Sequence, residues 1–399
     1  MSATTAERPV TERVADEPEN PLANLTPEQL EQIGREFDAI HDEVYADLGD
    51  RDARYIRSTI KLHRHLVLAA RVLLMGSRKR PLWLAGTTAL SLAKILENME
   101  IGHNVMHGQW DWMNDPDINS QNWDWDTASP ADAWRHSHNY EHHTFTNIRG
   151  KDRDLGYEIM RIDPHQKWHP VYLLQPFYNL LLMGFFEWGV AVHDLNHGAI
   201  HSGEKSKEQV LEELKAIGVK ARDQVVKDYA AFPALAALAT LASSRGSAKD
   251  SRSAFKSTLA ANFTANIVRN MWAYSIIFCG HFPDQTYTFS EEEVADETRG
   301  GFYVRQLLGS ANIDGSPIFH LLAGNLSFQV EHHLFPDMPS SRYAEIAPRV
   351  RDICRRYGLP YNTGPLHKQL GTVHRTILRL AFPGGKQRPK PGPYRPSEV

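Results

Sequence analysis

The chain has 399 residues, of which 42% are hydrophobic and 23% charged, with a net charge of −4. That length suits one large domain or two ordinary ones, and the charge balance, with no basic stripe interleaved with aromatics, excludes a nucleic-acid binder. Cys279 and Cys354 are the only cysteines. There is therefore neither a disulfide framework nor a CxxC zinc or iron–sulfur motif, which points to a reduced, cytosol-facing site. Histidine is the anomaly, with 20 residues gathered largely in short clusters.

Residues 1–24 are rich in Glu, Thr, Pro and Ala, without apolar periodicity and without a basic start leading into an apolar run. They read as a disordered tail, not a signal peptide. Thr26-Pro27-Glu28-Gln29 has the form of a capping box with proline in the first helical position, predicting a helix to about Ala46. Leu66–Met75 and Leu82–Leu96 flank a polar turn from Gly76 to Pro81. Each falls short of the roughly twenty apolar residues of a clean membrane span. Extended through their polar flanks they form a hairpin that delivers His103 to a membrane surface; two buried soluble helices are the alternative.

His103-Asn104-Val105-Met106-His107 is the first of three histidine clusters. Residues four apart share a helix face, so His103 and His107 can aim two imidazoles at one place. The second cluster is His138-Asn139-Tyr140-Glu141-His142-His143, and the third is Gln329-Val330-Glu331-His332-His333. A single HxxxH is weak, but three clusters with two HH doublets point to a metal site. Neutral imidazole suits iron, zinc, copper and nickel alike, so the donor type alone does not select the metal.

Between the first two clusters, Trp110, Trp112, Trp123, Trp125 and Trp134 punctuate a polar stretch. Most are expected to be membrane-interface anchors, with one or two lining an apolar tunnel. The polar run Thr146–Asp154 would orient ligating rings by accepting their second N–H; a solvated loop is the alternative. Asn147, Asp154, Trp110 and Trp134 are the candidates for holding the rings or lining a substrate tunnel.

Three more apolar stretches lie further along, Val171–Val192, Tyr229–Ala242 and Ala254–Cys279. If the second and third clusters build one site on one side of a membrane, an even number of spans separates them. Val171–Val192 contains Pro176, Gly184 and Glu187, which favour a broken, re-entrant or interfacial helix and leave the other two as the spanning pair. Asn262, Asn266, Arg269 and Asn270 should then face the protein interior. His281 lies just past the last span and is a ligand candidate, whereas His193, His197 and His201 read as surface or interfacial residues. Arg342–Leu380 reads as amphipathic helices, and residues 381–399 as a disordered, basic, proline-rich tail.

Eight clustered histidines exceed the roughly four to six ligands of one metal, so two metals fit, and nitrogen donors around redox-active iron suggest dioxygen chemistry. Soluble carboxylate-bridged di-iron proteins carry two Glu-x-x-His pairs. Here Glu100-Ile101-Gly102-His103 occurs once, which argues for a histidine-rich site.

The three clusters resemble the histidine boxes of the membrane fatty acid desaturase family, over a stretch from about Arg54 to about Leu370. Glu97 to Trp110 and Phe278-Cys279-Gly280-His281-Phe282-Pro283-Asp284 are similar to the actinobacterial acyl-CoA branch. Gln329 stands where many members have His, as in front-end desaturases; whether it meets a metal or a bridging water stays open.

The resemblance implies an all-α fold of integral-membrane helical hairpins with a cytosolic helical cap, a desaturase domain over 25–380, and a multi-pass place in the cell membrane with the site facing the cytosol. It implies two non-haem irons held by His103, His107, His138, His142, His143, His281, His332 and His333, with dioxygen as co-substrate. The implied activity is insertion of a cis double bond into a long-chain fatty acyl-CoA, Δ9 favoured. Electrons would come from an external NAD(P)H-dependent reductase, with or without ferredoxin. A Δ6-type linoleoyl-CoA desaturase and a lipid hydroxylase are the rivals among enzymes. A metal transporter is the rival from another class, but its ligands belong near a bilayer midplane, not in polar stretches beyond helix ends.

Overall fold

Thr26 Oγ1 accepts the Gln29 backbone N–H and the Gln29 side chain accepts the Thr26 N–H, so the helix Pro27–Ala46 starts where its capping box places it. It is the first long element of the computed structural model, which describes residues 20–243 and 247–395. Of the N-terminal stretch read as disordered, residues 1–19 lie outside the described residues, and Pro21–Asn24 forms a 3-10 turn. Ile33, Phe37, Ile40 and Val44, three or four apart on the first long helix, pack against Tyr303, Val304 and Leu307 of the helix Arg299–Leu308. Tyr343, Ile346 and Val350 of the helix Tyr343–Tyr357 complete this core. The three helices form a cap. Buried Arg342 fastens it to the next helix through two bonds to the Asp52 carboxylate, at 2.7 and 2.8 Å, the bidentate geometry in which a guanidinium binds most strongly.

Below the cap the helix Asp50–Met75 turns into Arg80–Leu96, the hairpin expected from the sequence. The helices Phe232–Ser243 and Ala248–His281 pack along each other and against this hairpin. Val171–Val192 is broken, as its proline and glycine predict: a 3-10 turn Pro170–Leu174, a helix Gln175–Gly184, a kink at Phe185, and a helix Phe186–His193.

Polar groups stitch the bundle from inside. Asn262, Asn266, Arg269 and Asn270 are all buried. Arg269 meets Glu187 at 2.5 Å, and Asp228 receives Lys94 at 2.8 Å and Arg71 at 3.0 Å. These residues lower the mean hydropathy of the helices that carry them. Among the described residues, one helix, the continuous Lys207–Ser243, is long and apolar enough to cross a membrane by length and composition. The expected hairpins are thus present as helices, but not as a set of apolar spans.

A two-stranded parallel sheet pairs Asn312–Asp314 with Thr363–Pro365 and ties the third box to the C-terminal helix Leu366–Leu380. The proline-rich stretch after it departs from the disordered tail expected of residues 381–399. Arg388 holds Asp284 at 2.6 and 2.8 Å, and the Tyr394 N–H reaches the Leu359 carbonyl at 2.9 Å. Composition could not register these contacts because the acceptors lie on distant segments. Residues 396–399 are outside the described residues.

Candidate metal centre

The helix Arg80–Leu96 widens into a π-helical turn, Glu97–His103, and the second cluster lies on another, Arg135–His142. A π turn bonds each residue to the fifth beyond it. Residues four and five apart therefore meet on one side, and His138 shares a face with both His142 and His143. The first cluster keeps α spacing: the His107 N–H bonds to the His103 carbonyl at 3.1 Å, and the two rings lie 4.5 Å apart. The third cluster is the short, buried helix Gln329–Leu334, and His281 is the last residue of the helix Ala248–His281.

These segments converge. One ring-nitrogen atom from each of His103, His107, His138 and His332 lies within 4.8 Å of the others, and His142, His281 and His333 form a second group by the same measure. His143 stands between the groups. It stacks on His333 at 4.5 Å and lies 4.8, 4.9 and 5.0 Å from His107, His332 and His138.

In most of these rings the two nitrogens have different surroundings, His143 being unpartnered at both. On the Nδ1 side, His103 meets Asn104 Oδ1 at 3.0 Å, His142 meets Asp152 at 3.0 Å, His332 the Tyr343 hydroxyl at 3.1 Å and His333 Gln306 Oε1 at 2.9 Å. His138 Nδ1 faces Asp154 at 3.5 Å. On the other side, the Nε2 atoms of His107, His138, His142, His143, His332 and His333 are buried with no hydrogen-bond partner among the described residues. Buried polar atoms left unpaired are costly. Imidazoles tethered through one nitrogen and free at the other are what a metal requires, since the outer hydrogen bond fixes ring orientation and raises basicity. This donor set fits two nitrogen-ligated metal ions.

Electrostatics favours the same form. Burial holds His107, His143, His332 and His333 well below the ordinary imidazole range, and His103 at about 3, so they stay neutral. His142 differs: burial works against its charge, but Asp152 and Asp154 outweigh it and push the pKa up to about 9. A cation at Nε2 would satisfy the same two carboxylates.

The polar run Thr146–Asp154 buttresses the rings. Asn147, at φ +57°, donates its backbone N–H to Asp152 at 2.7 Å and its side-chain amide to the Tyr287 and Gly309 carbonyls at 2.8 and 2.9 Å. Asp154 accepts from His193 Nε2 at 2.8 Å. His193 is buried here, which corrects its reading as a surface or interfacial residue, while His197 and His201 are exposed. One helix ends at His193, with Asp194 as its C-cap, and Asn196, at φ +55°, caps the next, so the three histidines never share a continuous face.

The carboxylates of the boxes and of the Glu100-x-x-His103 pair have partners other than the histidine cluster, Glu141 pairing with Arg153 at 2.8 Å. Glu331 is taken by Tyr361 at 2.6 Å and Asn312 at 2.8 Å, and Glu100 by Ser340 at 2.7 Å, Tyr55 at 2.9 Å and Asn325 at 2.9 Å. The Gln329 amide lies 3.1 Å from His281 Nε2, and its Oε1 is buried without a partner. Gly280 makes room for it, because a Cβ there would come within 2.8 Å of Gln329 Cγ.

A cavity of about 50 Å³ opens beside the cluster, with His103 and His138 in its wall and Met99, Tyr157, Phe186, Val190 and Ile277 as its apolar lining. Trp134 also lines it and stacks on His138 at 4.6 Å. Trp110 does not reach it; it is fully buried in a core with Ile56, Ile101 and Val105. Trp110, Trp125 and Trp134 are all buried, so these rings pack inside the protein and do not serve as the interface anchors expected of most of them. Trp content alone cannot separate the two environments, since both pair an apolar ring with a polar N–H.

Sequence reasoning missed Asn104, Gln306, Tyr343 and His193 as partners of the rings and their carboxylates, and it singled out Asp154 but not Asp152. Gln306 and Tyr343 lie on cap helices with no local signal; Asp152 lay within the polar run. Replacing Asp152 with Asn should lower metal affinity by about 10–100-fold, the range for losing an outer-shell partner of a ligating histidine. Iron titration monitored by absorbance measures it, and unchanged affinity would contradict this role.

Comparison with known proteins adds independent findings. Residues 81–365 match the model of the fatty acid desaturase family. An NADPH-dependent stearoyl-CoA 9-desaturase of Mycobacterium tuberculosis is 46% identical over 362 residues, covering 91% of this chain and 82% of that protein. An sn-1 linoleoyl-lipid 6-desaturase of Synechocystis is 26% identical over 307 residues, 72% of this chain and 77% of that protein. The human fatty acid desaturase 3 is 30% identical over 113 residues, 28% of this chain and 24% of that protein. No solved structure matches the chain significantly.

Proposed function

The chain belongs to the fatty acid desaturase family, an oxidoreductase family of lipid metabolism, and from that premise we propose that it introduces a cis double bond, Δ9 favoured, into a long-chain fatty acyl-CoA at a two-iron site. The observation that carries this reading is the convergence of buried, unpartnered Nε2 atoms from distant segments beside a largely apolar cavity. The Δ9 position and CoA thioester rest on the 46% identical relative, whose name specifies both. Gln329 in the third box is the feature favouring a Δ6-type reading, but the 6-desaturase relative is more distant, at 26% identity.

His103, His107, His138 and His332 would hold one iron and His142, His281 and His333 the other, with His143 between them and Gln329 at the edge of the second group. Bound iron would supply dioxygen-dependent removal of hydrogen from unactivated C–H bonds, fed by electrons from an external NAD(P)H-dependent reductase. The chain's own part is placement. Met99, Tyr157, Phe186, Val190 and Ile277 line the cavity that would grip the acyl chain, and His103 and His138 bring the ligating rings to its wall. Holding a methylene within reach makes the attack effectively unimolecular. Trp134, stacked on His138, keeps that ring from turning and shields it from water. Asp152 and Asp154 fix the tautomers of His142 and His138, leaving Nε2 for the metal.

Burial is inverted along the bundle, which supports the membrane reading. On the helix Gln175–Gly184, Gln175 and Asn179 are buried, whereas Phe177, Leu180 and Leu181 are 68, 60 and 65% exposed. On the helix Ala248–His281, Asn262 and Asn270 face inward while Phe263 and Met271 face outward. Apolar patches of this extent call for a partner surface, and polar-in, apolar-out helices suit lipid. The histidine cluster then sits beyond the helix ends, on the side we assign to the cytosol.

Expressing the protein with a reductase pair and locating double bonds by mass spectrometry tests the activity. A Δ9 product is expected; an unchanged profile from iron-loaded protein, or a hydroxylated product, would overturn the proposal. Val190→Trp, which fills part of the cavity, should shift product toward shorter acyl chains in the same assay. An identical chain-length profile would show that the cavity does not hold substrate.

A further inference from the structure

The helix Leu366–Leu380 turns Gln369, Val373, Thr376, Ile377 and Leu380 inward and packs on the helices Gln175–Gly184 and Ala248–His281. Gln175 Nε2 donates to the Ile377 carbonyl at 2.5 Å, and Trp168 Nε1 donates to that of Ala381 at 2.9 Å. The opposite side has another character. Lys368, Arg375, Leu378, Arg379 and, just past the helix end, Phe382 are all exposed, and the helix carries no Asp or Glu. From Arg375 onward these residues recur three or four apart, and Lys368 lies two turns before, so they form one stripe. The chain as a whole is acidic, at −4, so this cationic face is a local feature. Arg375 stands 3.8 Å from Asp284, but Arg388 already holds that carboxylate at 2.6 Å.

We propose that this stripe binds the anionic phospholipid headgroups of the leaflet nearest the histidine cluster, seating the helix in the bilayer interface. The inference rests on the membrane reading above and adds a lipid class to it. Two observations select lipid as the occupant. First, the stripe adjoins the lipid-facing belt: Phe177, 68% exposed, lies on the helix that packs against this one, and Val171 and Leu174, at 49 and 58% exposure, lie on the turn leading into it. Second, Leu378 and Phe382, each 53% exposed, interleave with the cations. Apolar side chains enter the acyl boundary while Lys and Arg meet the headgroups, the arrangement of an interfacial helix. Trp168, bonded to the end of this helix, has the amphipathic ring enriched at the same depth.

The test uses the full-length, iron-loaded protein in nanodiscs of phosphatidylcholine containing spin-labelled phosphatidylglycerol or spin-labelled phosphatidylcholine, with lipid selectivity read from the immobilised fraction. Each cation near an anionic surface contributes about a fivefold preference at low salt. Wild type should therefore favour phosphatidylglycerol, and K368Q/R375Q/R379Q should lose most of that preference while keeping the same turnover in neutral micelles. Conservative K368R should retain it, and added salt should erase it in wild type. Equal selectivity in wild type and the triple variant overturns the inference while leaving the membrane reading intact. Protein that fails to enter either nanodisc sinks both. If the triple variant instead weakens salt-dependent binding of the reductase with lipid selectivity unchanged, the stripe is a protein interface and the proposal falls.

Discussion

Replacing His143 with Ala should abolish desaturation and deplete iron from both halves of the centre, not one. Its ring lies 4.5 Å from His333 in one group and 4.8 and 4.9 Å from His107 and His332 in the other, and both its nitrogens are buried without a partner. The groups also touch through the His138–His142 stack at 5.2 Å, a longer contact. Losing an outer partner of a ligating histidine costs about 10–100-fold in affinity or activity, so losing a central ligand should exceed the upper end of that range. Elemental analysis of purified protein, with turnover measured on the same sample, checks both expectations. Full iron content with a merely slowed reaction would move His143 out of the metal shell. Loss of one iron per chain would place it in a single group.

The second large effect is on stability. Arg269 and Glu187 are buried in the bundle and meet at 2.5 Å, far along the chain from each other. Arg269→Met leaves the carboxylate with only the neutral donors Gln224 at 2.6 Å and Asn270 at 3.4 Å. Breaking a buried pair from one side costs about 3–5 kcal/mol because a charge remains without compensation. Adding Glu187→Gln removes that charge and keeps an acceptor for Gln224, so the double variant should recover most of the loss. Thermal unfolding in detergent, followed by circular dichroism, gives both values. A double variant no more stable than R269M would show that packing, not charge, sets the cost.

Some features are legible because they are local. Thr26 and Gln29 lie three residues apart, so their capping box can be read directly, and Pro176 and Gly184 announce the break between Pro170 and His193. The polar residues of Ala248–His281 are expected to face inward because their only tolerable environment is the protein interior. The same arrangement hides the spans from composition: a helix that stores Asn262, Asn266, Arg269 and Asn270 on its inner face no longer looks apolar. The surface reading of His193 fails because its place between a broken apolar segment and a charged helix does not reveal Asp154, the distant partner that holds its ring inside.

The sequence by itself determined the chemistry available: imidazole in three clusters, a glutamine at the head of the third, no thiol motif, and helices to carry them. Tertiary structure alone decided which nitrogens face one another, that Glu100 and Glu331 turn away, and that Gln306 and Tyr343 of the cap anchor His333 and His332. The physical reason is one of range. Helical spacing and capping act over a few residues and can be read along the chain. Contacts between His103, His143 and His332 depend on how separate helices pack, and no local pattern records that.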